Sequence, residues 1–200
     1  MKSINNNQII MNENKTIAGS MPSWYIDQQQ HTEIICSIPA SDPEKKSVSS
    51  SGCGIACLSM AIGALTSINI SPETLFREGY NNGMYWGDGF SHKALIFIGN
   101  KHGLKVSWTN DINAVYDALL SHKGVIFHVK NDNKYKFTTT GHYIFLYGCQ
   151  ELNSVKKVYV FDPKGSNKYI NVLFPLKSDD GGIEVAKRGT GSDFGIVELA

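Results

Sequence analysis

The 200-residue chain has no apolar run approaching the length needed to span a bilayer, about 20 consecutive residues for a helix. Its first twenty residues are rich in Asn and Lys and lack the continuous apolar segment of a secretory signal. The expectation is synthesis in the cytoplasm, with any export following a route that does not use such a signal. Charge of one sign is equally scarce: 19 Lys and Arg against 18 Asp and Glu leave a net charge of +1. No basic run interleaved with aromatics occurs, so broad attraction to nucleic acid or an anionic membrane is excluded and a peptide or protein is the expected partner. Cysteine is limited to Cys36, Cys53, Cys57 and Cys149. Without an export signal the thiols are expected to be reduced. Cys53 and Cys57 lack the second Cys/His pair that a zinc site requires, so no metal or other cofactor is expected.

The apolar fraction of 42% and charged fraction of 18% are those of a soluble globular protein with a real core. Residues 1–20 carry too few apolar groups to offset the entropy of ordering and read as a flexible tail. A single domain is expected over 21–200, its start marked by Trp24, Tyr25 and Ile26, and a monomer is expected. Residues 38–51, with two prolines and several serines, read as loop. The run 53–65 is apolar on nearly every side, which belongs to a helix at the centre of a fold. Ser50 or Ser51 is expected to cap it, and Gly52 and Gly54 to let other groups approach Cys53 closely. Ser71-Pro72-Glu73 opens a second helix, to about residue 78. Ser91 opens a third, ending near Gly103, and Asn110 or Asp111 a fourth, with Gly124 as its terminator. The segments 125–130, 137–148, 157–162, 169–174 and 194–199 are β-branched and aromatic runs separated by polar clusters. Helices first and strands after predict an α+β domain with an antiparallel sheet.

Cys53 lies where a serine- and glycine-rich loop enters the buried helix. Its sulfur is expected at the helix N-terminus, where unpaired N–H groups and the dipole favour the thiolate. Cys57, one turn deeper, reads as core, and Cys36 and Cys149 as structural. A nucleophilic thiol needs a base. His142 starts a strongly predicted strand, and the next strand ends in Asp162-Pro163. If residues 150–154 form the hairpin loop, His142 faces Asp162 directly, and a carboxylate there can hold the imidazole tautomer and stabilise its charged form. A slip of one residue would put the two on opposite faces. His31, His92, His102, His122 and His128 read as ordinary surface or core residues. A cysteine at a helix start, a histidine at a strand start and an aspartate at a strand end are what thiol acyl chemistry requires.

The stretch Ser51-Gly52-Cys53-Gly54-Ile55-Ala56-Cys57-Leu58-Ser59-Met60 resembles the nucleophile motif of the bacteriocin-processing (double-glycine leader) peptidases and of their stand-alone bacterial relatives in the papain-like superfamily. Gly141-His142-Tyr143 and Val158-Tyr159-Val160-Phe161-Asp162-Pro163 resemble that family's histidine and aspartate strands, so the likeness covers roughly residues 25–165. The resemblance implies a papain-like α+β fold, cleavage of peptide bonds through a thioester and an upstream glutamine that donates to the oxyanion. In transporter-linked members that glutamine sits about one helical turn before the cysteine, where this chain has Lys46, Ser47 and Val48. The stand-alone relatives place it further upstream after an aromatic residue, and Trp24-Tyr25-Ile26-Asp27-Gln28 resembles that arrangement. Gln28 is the candidate, with Gln29 and Gln30 as alternatives.

The same machinery runs several reactions, and the residues leave them open. A cysteine peptidase expels a backbone amine, a deamidase expels ammonia from a glutamine of a partner protein, and a peptidoglycan amidase cuts a stem peptide. A fourth reading is an inactive papain-like module used for binding. The polar tail and compact domain suit an effector delivered into a target cell, acting on a host or competitor protein. The aromatic, glycine-rich segment 84–90 reads either as a cleft lining or as a packed turn. The glycine-rich segment 178–192 reads as a flap or a long connection.

Overall fold

The computed structural model describes residues 21–37, 45–130, 137–176 and 193–200. The tail 1–20, residues 38–44 of the expected loop 38–51 and the segment 178–192 lie outside the described residues.

A short 3-10 turn, Gln28–Gln30, and two two-residue strands, β1 (Cys36–Ser37) and β2 (Lys45–Lys46), precede the helical part. Then come α1 (Val48–Ser51), α2 (Cys53–Thr66), α3 (Pro72–Asn81) and α4 (His92–Lys101), followed by β3 (Leu104–Thr109) and α5 (Ile112–Leu120). The remaining strands are β4 (Gly124–Lys130), β5 (Gly141–Leu152), β6 (Val155–Phe161), β7 (Ile170–Pro175) and β8 (Phe194–Leu199). β3 to β8 form one sheet in the order β3-β8-β4-β5-β6-β7, and every neighbouring pair is antiparallel. This is the α+β architecture expected from the sequence, with the helix that begins at Cys53 packed on an antiparallel sheet. Among the described residues no helix is long and apolar enough to cross a membrane.

The sheet is covered on both faces, so its central strands are apolar at successive rather than alternate positions. Tyr143, Phe145 and Tyr147 of β5 join α2 and Trp24 in one core, while Ile144 and Leu146 join Val115 and Leu119 of α5 in the other. Residues Gly54 to Ala64 of α2 are all buried, which is why the helix is apolar on every side.

Three caps match the sequence. Ser71 accepts from the Thr74 N–H, Ser91 from the Ala94 N–H and Asp111 from the Asn113 N–H. Four expectations are corrected. The serines before Cys53 do not cap α2: Ser47 and Ser50 form a capping box on the separate helix α1, and Gly52 caps α2 without a side-chain bond. Gly124 does not end α5 but begins β4, the chain having turned at His122, whose φ is +60°. A strand, β3, interrupts the helical half, its Leu104 and Val106 buried and its Lys105 and Ser107 exposed. The β5–β6 hairpin is tighter than expected: Leu152 pairs with Val155, so only Asn153 and Ser154 turn, with φ of +50° and +62°. Two central residues in the left-handed region are what a two-residue hairpin turn demands.

Candidate active site

Cys53 is the first residue of α2, half-buried, with its sulfur at the head of a cleft. The junction with α1 is possible only because residue 52 is glycine: a Cβ there would lie 2.6 Å from the Val48 Cα and 2.8 Å from its carbonyl oxygen. Gly54 lies tight against the sheet, a Cβ there falling 3.1 Å from the Tyr143 ring. Because no side chain caps α2, the N–H groups of its first turn remain directed at the cysteine. Burial pushes the Cys53 thiol up, but the hydrogen bond and charge of His142 outweigh it. With backbone N–H bonds from Tyr143 and Gly54 they hold the thiol below its ordinary value.

The other three cysteines are free and buried. Burial raises all three thiols, Cys149 to about 12. For Cys57 the nearby charges of Cys53 and Asp162 add to that rise.

His142 and Asp162 meet through an irregularity in the sheet. Near the turn Cys149 faces Val158, but further along Leu146 faces Val160 and Phe145 faces Phe161. Tyr147 and Gly148 therefore oppose the single residue Tyr159, a β-bulge in which Gly148 takes a φ of +88°. Continued unbroken, the turn-side pairing would set Asp162 on the face of Phe145, opposite to that of His142. The bulge sets it beside Ile144, on the same face as His142. The two are thus diagonal neighbours, not the directly facing pair that a symmetric loop over 150–154 predicts.

Their contact is short: His142 Nε2 lies 2.7 Å from Asp162 Oδ1, with the histidine 6% exposed and the aspartate 0%. With Nε2 engaged, Nδ1 is the ring nitrogen left for the thiol. Burial works against the imidazolium, but bonds to Asp162 and Cys53 push the His142 pKa up to about 9. Thiolate and imidazolium stabilise each other in a site where either alone would be costly.

Asp162 is itself held. The Lys164 N–H donates to Oδ1 at 2.8 Å and the Asn167 amide donates to Oδ2 at 2.7 Å. Asn167 also donates to the Phe137 carbonyl at 2.9 Å, tying the carboxylate to the approach to β5. Neither contact had a sequence signal, because one is made by the last residue of the 3-10 turn Gly165–Asn167 and the other by the residue that leads into it.

Of the three candidate glutamines, Gln28 is buried and lines the cleft, whereas Gln29 and Gln30 are exposed. The Gln28 amide donates to the Ser49 carbonyl at 3.2 Å. Gln29 instead accepts from the Ser166 N–H at 2.8 Å. The whole segment is fastened to the loop after β6: the Tyr25 hydroxyl donates to the Asp162 carbonyl, and the Gln28 N–H to the Pro163 carbonyl, both at 2.8 Å.

Cys53, His142 and Gln28 all line one open cleft of about 920 Å3, with Asp162 buried behind the histidine. Its helical wall carries Ser49, Ser50, Trp86 and residues 88–91; its sheet wall carries His128, Thr138, Thr140 and Gly141.

A family model described as the Peptidase_C39 like family matches residues 24–177. Among solved structures, that of a candidate C39-like peptidase from Bacillus anthracis shares 15% sequence identity with this chain at a TM-score of 0.47, covering 74% of this chain and 90% of that one. No curated protein matches the chain.

Proposed function

The chain belongs to the Peptidase_C39 like family, and from that premise we propose that it is a cysteine peptidase in which Cys53 is the nucleophile, His142 the general base and acid, Asp162 the orienting carboxylate and Gln28 the oxyanion donor. The observation that supports it most is the buried relay: an imidazole bonded to a carboxylate on one side and to a thiol at a helix mouth on the other.

The ionised Cys53 sulfur attacks the carbonyl carbon of a peptide bond. Charge develops on the carbonyl oxygen and is met by the Cys53 backbone N–H, which as the first N–H of a helix has no intrahelical acceptor. The Gln28 amide supplies a second donor, since one of its N–H bonds is anchored on Ser49 and the other is left for the oxyanion. His142, protonated by the same field that ionises Cys53, gives its proton to the leaving amine, and the C–N bond breaks to leave a thioester. Neutral His142 then takes a proton from water, hydroxide adds to the thioester, and Cys53 leaves as thiolate.

A deamidase or a peptidoglycan amidase would use the same four groups, so the products decide between them. Incubation with candidate peptides and proteins followed by intact-mass measurement gives fragments for a peptidase, against a single amide-to-acid mass change for a deamidase. Cys53→Ala is expected to abolish turnover with the fold retained, and turnover surviving in that variant would remove the proposal. If iodoacetamide alkylates Cys53 no faster than a free thiol across pH, the reading as an inactive binding module gains over the enzyme.

A further inference from the structure

The helical wall of the cleft has a feature that the chemistry above does not use. Between α3 and α4 the chain folds back on itself. Tyr85 and Phe90 form a β-bridge, and the Trp86 N–H donates to the Gly89 carbonyl at 3.1 Å. The Tyr85 hydroxyl donates to the Gly87 carbonyl at 2.6 Å and shares a hydrogen bond with Ser51 Oγ at 2.7 Å. Beneath it the rings of Phe76, Tyr85 and Phe90 pack with centroids 4.9 to 5.1 Å apart. The loop is therefore held by rings, by its own backbone and by the residues leading into Cys53.

On this fixed loop Trp86 is 78% exposed, more than any other large apolar side chain among the described residues, and it lines the same cleft as Cys53. Tryptophan is highly buried on average, and an indole left in water is the side chain with most to gain from a contact. Presented on a rigid support, it binds without the entropic cost of ordering a loop.

Which half of a substrate reaches it follows from the direction of proton transfer. His142 stands on the sheet wall and gives its proton to the leaving amine, so the leaving half lies toward that wall. The acyl half then runs along the helical wall, past Ser51 and Gly89 to Trp86. Gly89 lines that path without a side chain, at a φ of +146° that L residues rarely adopt. We infer that Trp86 is a specificity-determining residue that stacks on a bulky apolar side chain, aromatic for preference, of a peptide on the N-terminal side of the scissile bond. The assignment of that side rests on the peptidase reading above; the recognition itself does not need turnover.

The test uses the Cys53→Ala protein and an acetylated, amidated peptide library randomised at every position, with bound peptides read by mass spectrometry. Peptides carrying Phe, Tyr, Trp or Leu are expected to be enriched. Trp86→Ala in the same background is expected to lower that enrichment about tenfold, the scale of one lost aromatic contact, while Trp86→Phe keeps most of it. Equal enrichment with and without the indole, or no apolar preference at all, overturns the inference. Wild-type protein is given the same library in parallel. Cleavage with an apolar residue at a fixed position before the cut, lost in Trp86→Ala, supports the assigned side, and a preference after the cut overturns it. Absence of cleavage with apolar enrichment intact removes the peptidase reading and leaves Trp86 as a recognition residue.

Discussion

Cys53 and Cys57 lie one turn apart on the same helix, yet their thiols are driven in opposite directions. Burial raises both. Cys53, however, has an imidazole, two backbone N–H groups and an uncapped helix mouth, whereas Cys57 is buried in the core and feels the negative charges of Cys53 and Asp162. A single helical turn thus separates a thiol disposed to ionise from one that stays protonated. The first turn of the helix supplies one of the two backbone donors, through Gly54, and β5 supplies the other together with the imidazole.

The largest expected effect breaks the comparison outright. Cys53→Ala should remove turnover, a loss on the order of 10^6 where a nucleophile is deleted. Cys57→Ala should leave kcat/KM near wild type and cost about 1 kcal/mol of stability for the vacated volume, read by denaturant melts alongside peptide hydrolysis. Next is Asp162→Asn. Loss of the carboxylate removes the bond that raises His142, so the imidazolium disappears at lower pH and the Cys53 thiol climbs toward Cys57. A fall in kcat/KM of about 10^4 is expected. In the wild type the rate should rise as Cys53 ionises below its ordinary range and fall as His142 loses its proton near pH 9, a bell-shaped profile. In Asp162→Asn the alkaline limb should move to lower pH. An unmoved limb would show that the carboxylate does not set the charge on the imidazole.

A smaller effect sharpens the comparison by separating nucleophile from oxyanion. Gln28→Ala should lower kcat by about 10^2 to 10^3 while the rate of Cys53 alkylation by iodoacetamide stays that of wild type, because Gln28 is not among the groups that hold the thiolate. A parallel fall in both would place Gln28 in the support of the thiol instead. The smallest effect is reserved for the sheet. Gly148→Ala forces a side chain to a φ of +88° and should destabilise the fold by about 1 to 2 kcal/mol. If the bulge relaxes to relieve that strain, His142 and Asp162 part and the alkaline limb moves as in Asp162→Asn.

Much of this arrangement was legible in the residues. The helix around Cys53, the capped helices at Ser71, Ser91 and Asp111, and most strand positions follow from periodicity and turn chemistry. The four candidate residues fall around one cleft and its buried backing. The pairing of β5 with β6 was not legible, because it depends on two compensating local choices, a two-residue turn and a one-residue bulge. The glycine inside an apolar run at 148 was the available sign of the second. The cap of α2 was misread because four serines offered themselves and the chain spends two of them on a separate short helix. β3 was missed although Leu104, Lys105, Val106 and Ser107 alternate, because it is short and lies among helices. Asn167 and Lys164 could not be found, since a loop that folds back on a carboxylate leaves no periodic trace.

The bond from the Tyr25 hydroxyl to the Asp162 carbonyl spans 137 positions of the chain. Alongside it Asp27 and Gln29 bind the N–H groups of Gly165 and Ser166. A nascent chain therefore carries its thiol long before anything exists to ionise it, and its glutamine before the loop that seats it. The loop after β6 can dock on the segment that carries Gln28 only once residue 166 has been synthesised, so the four candidate residues can come together only from that point on.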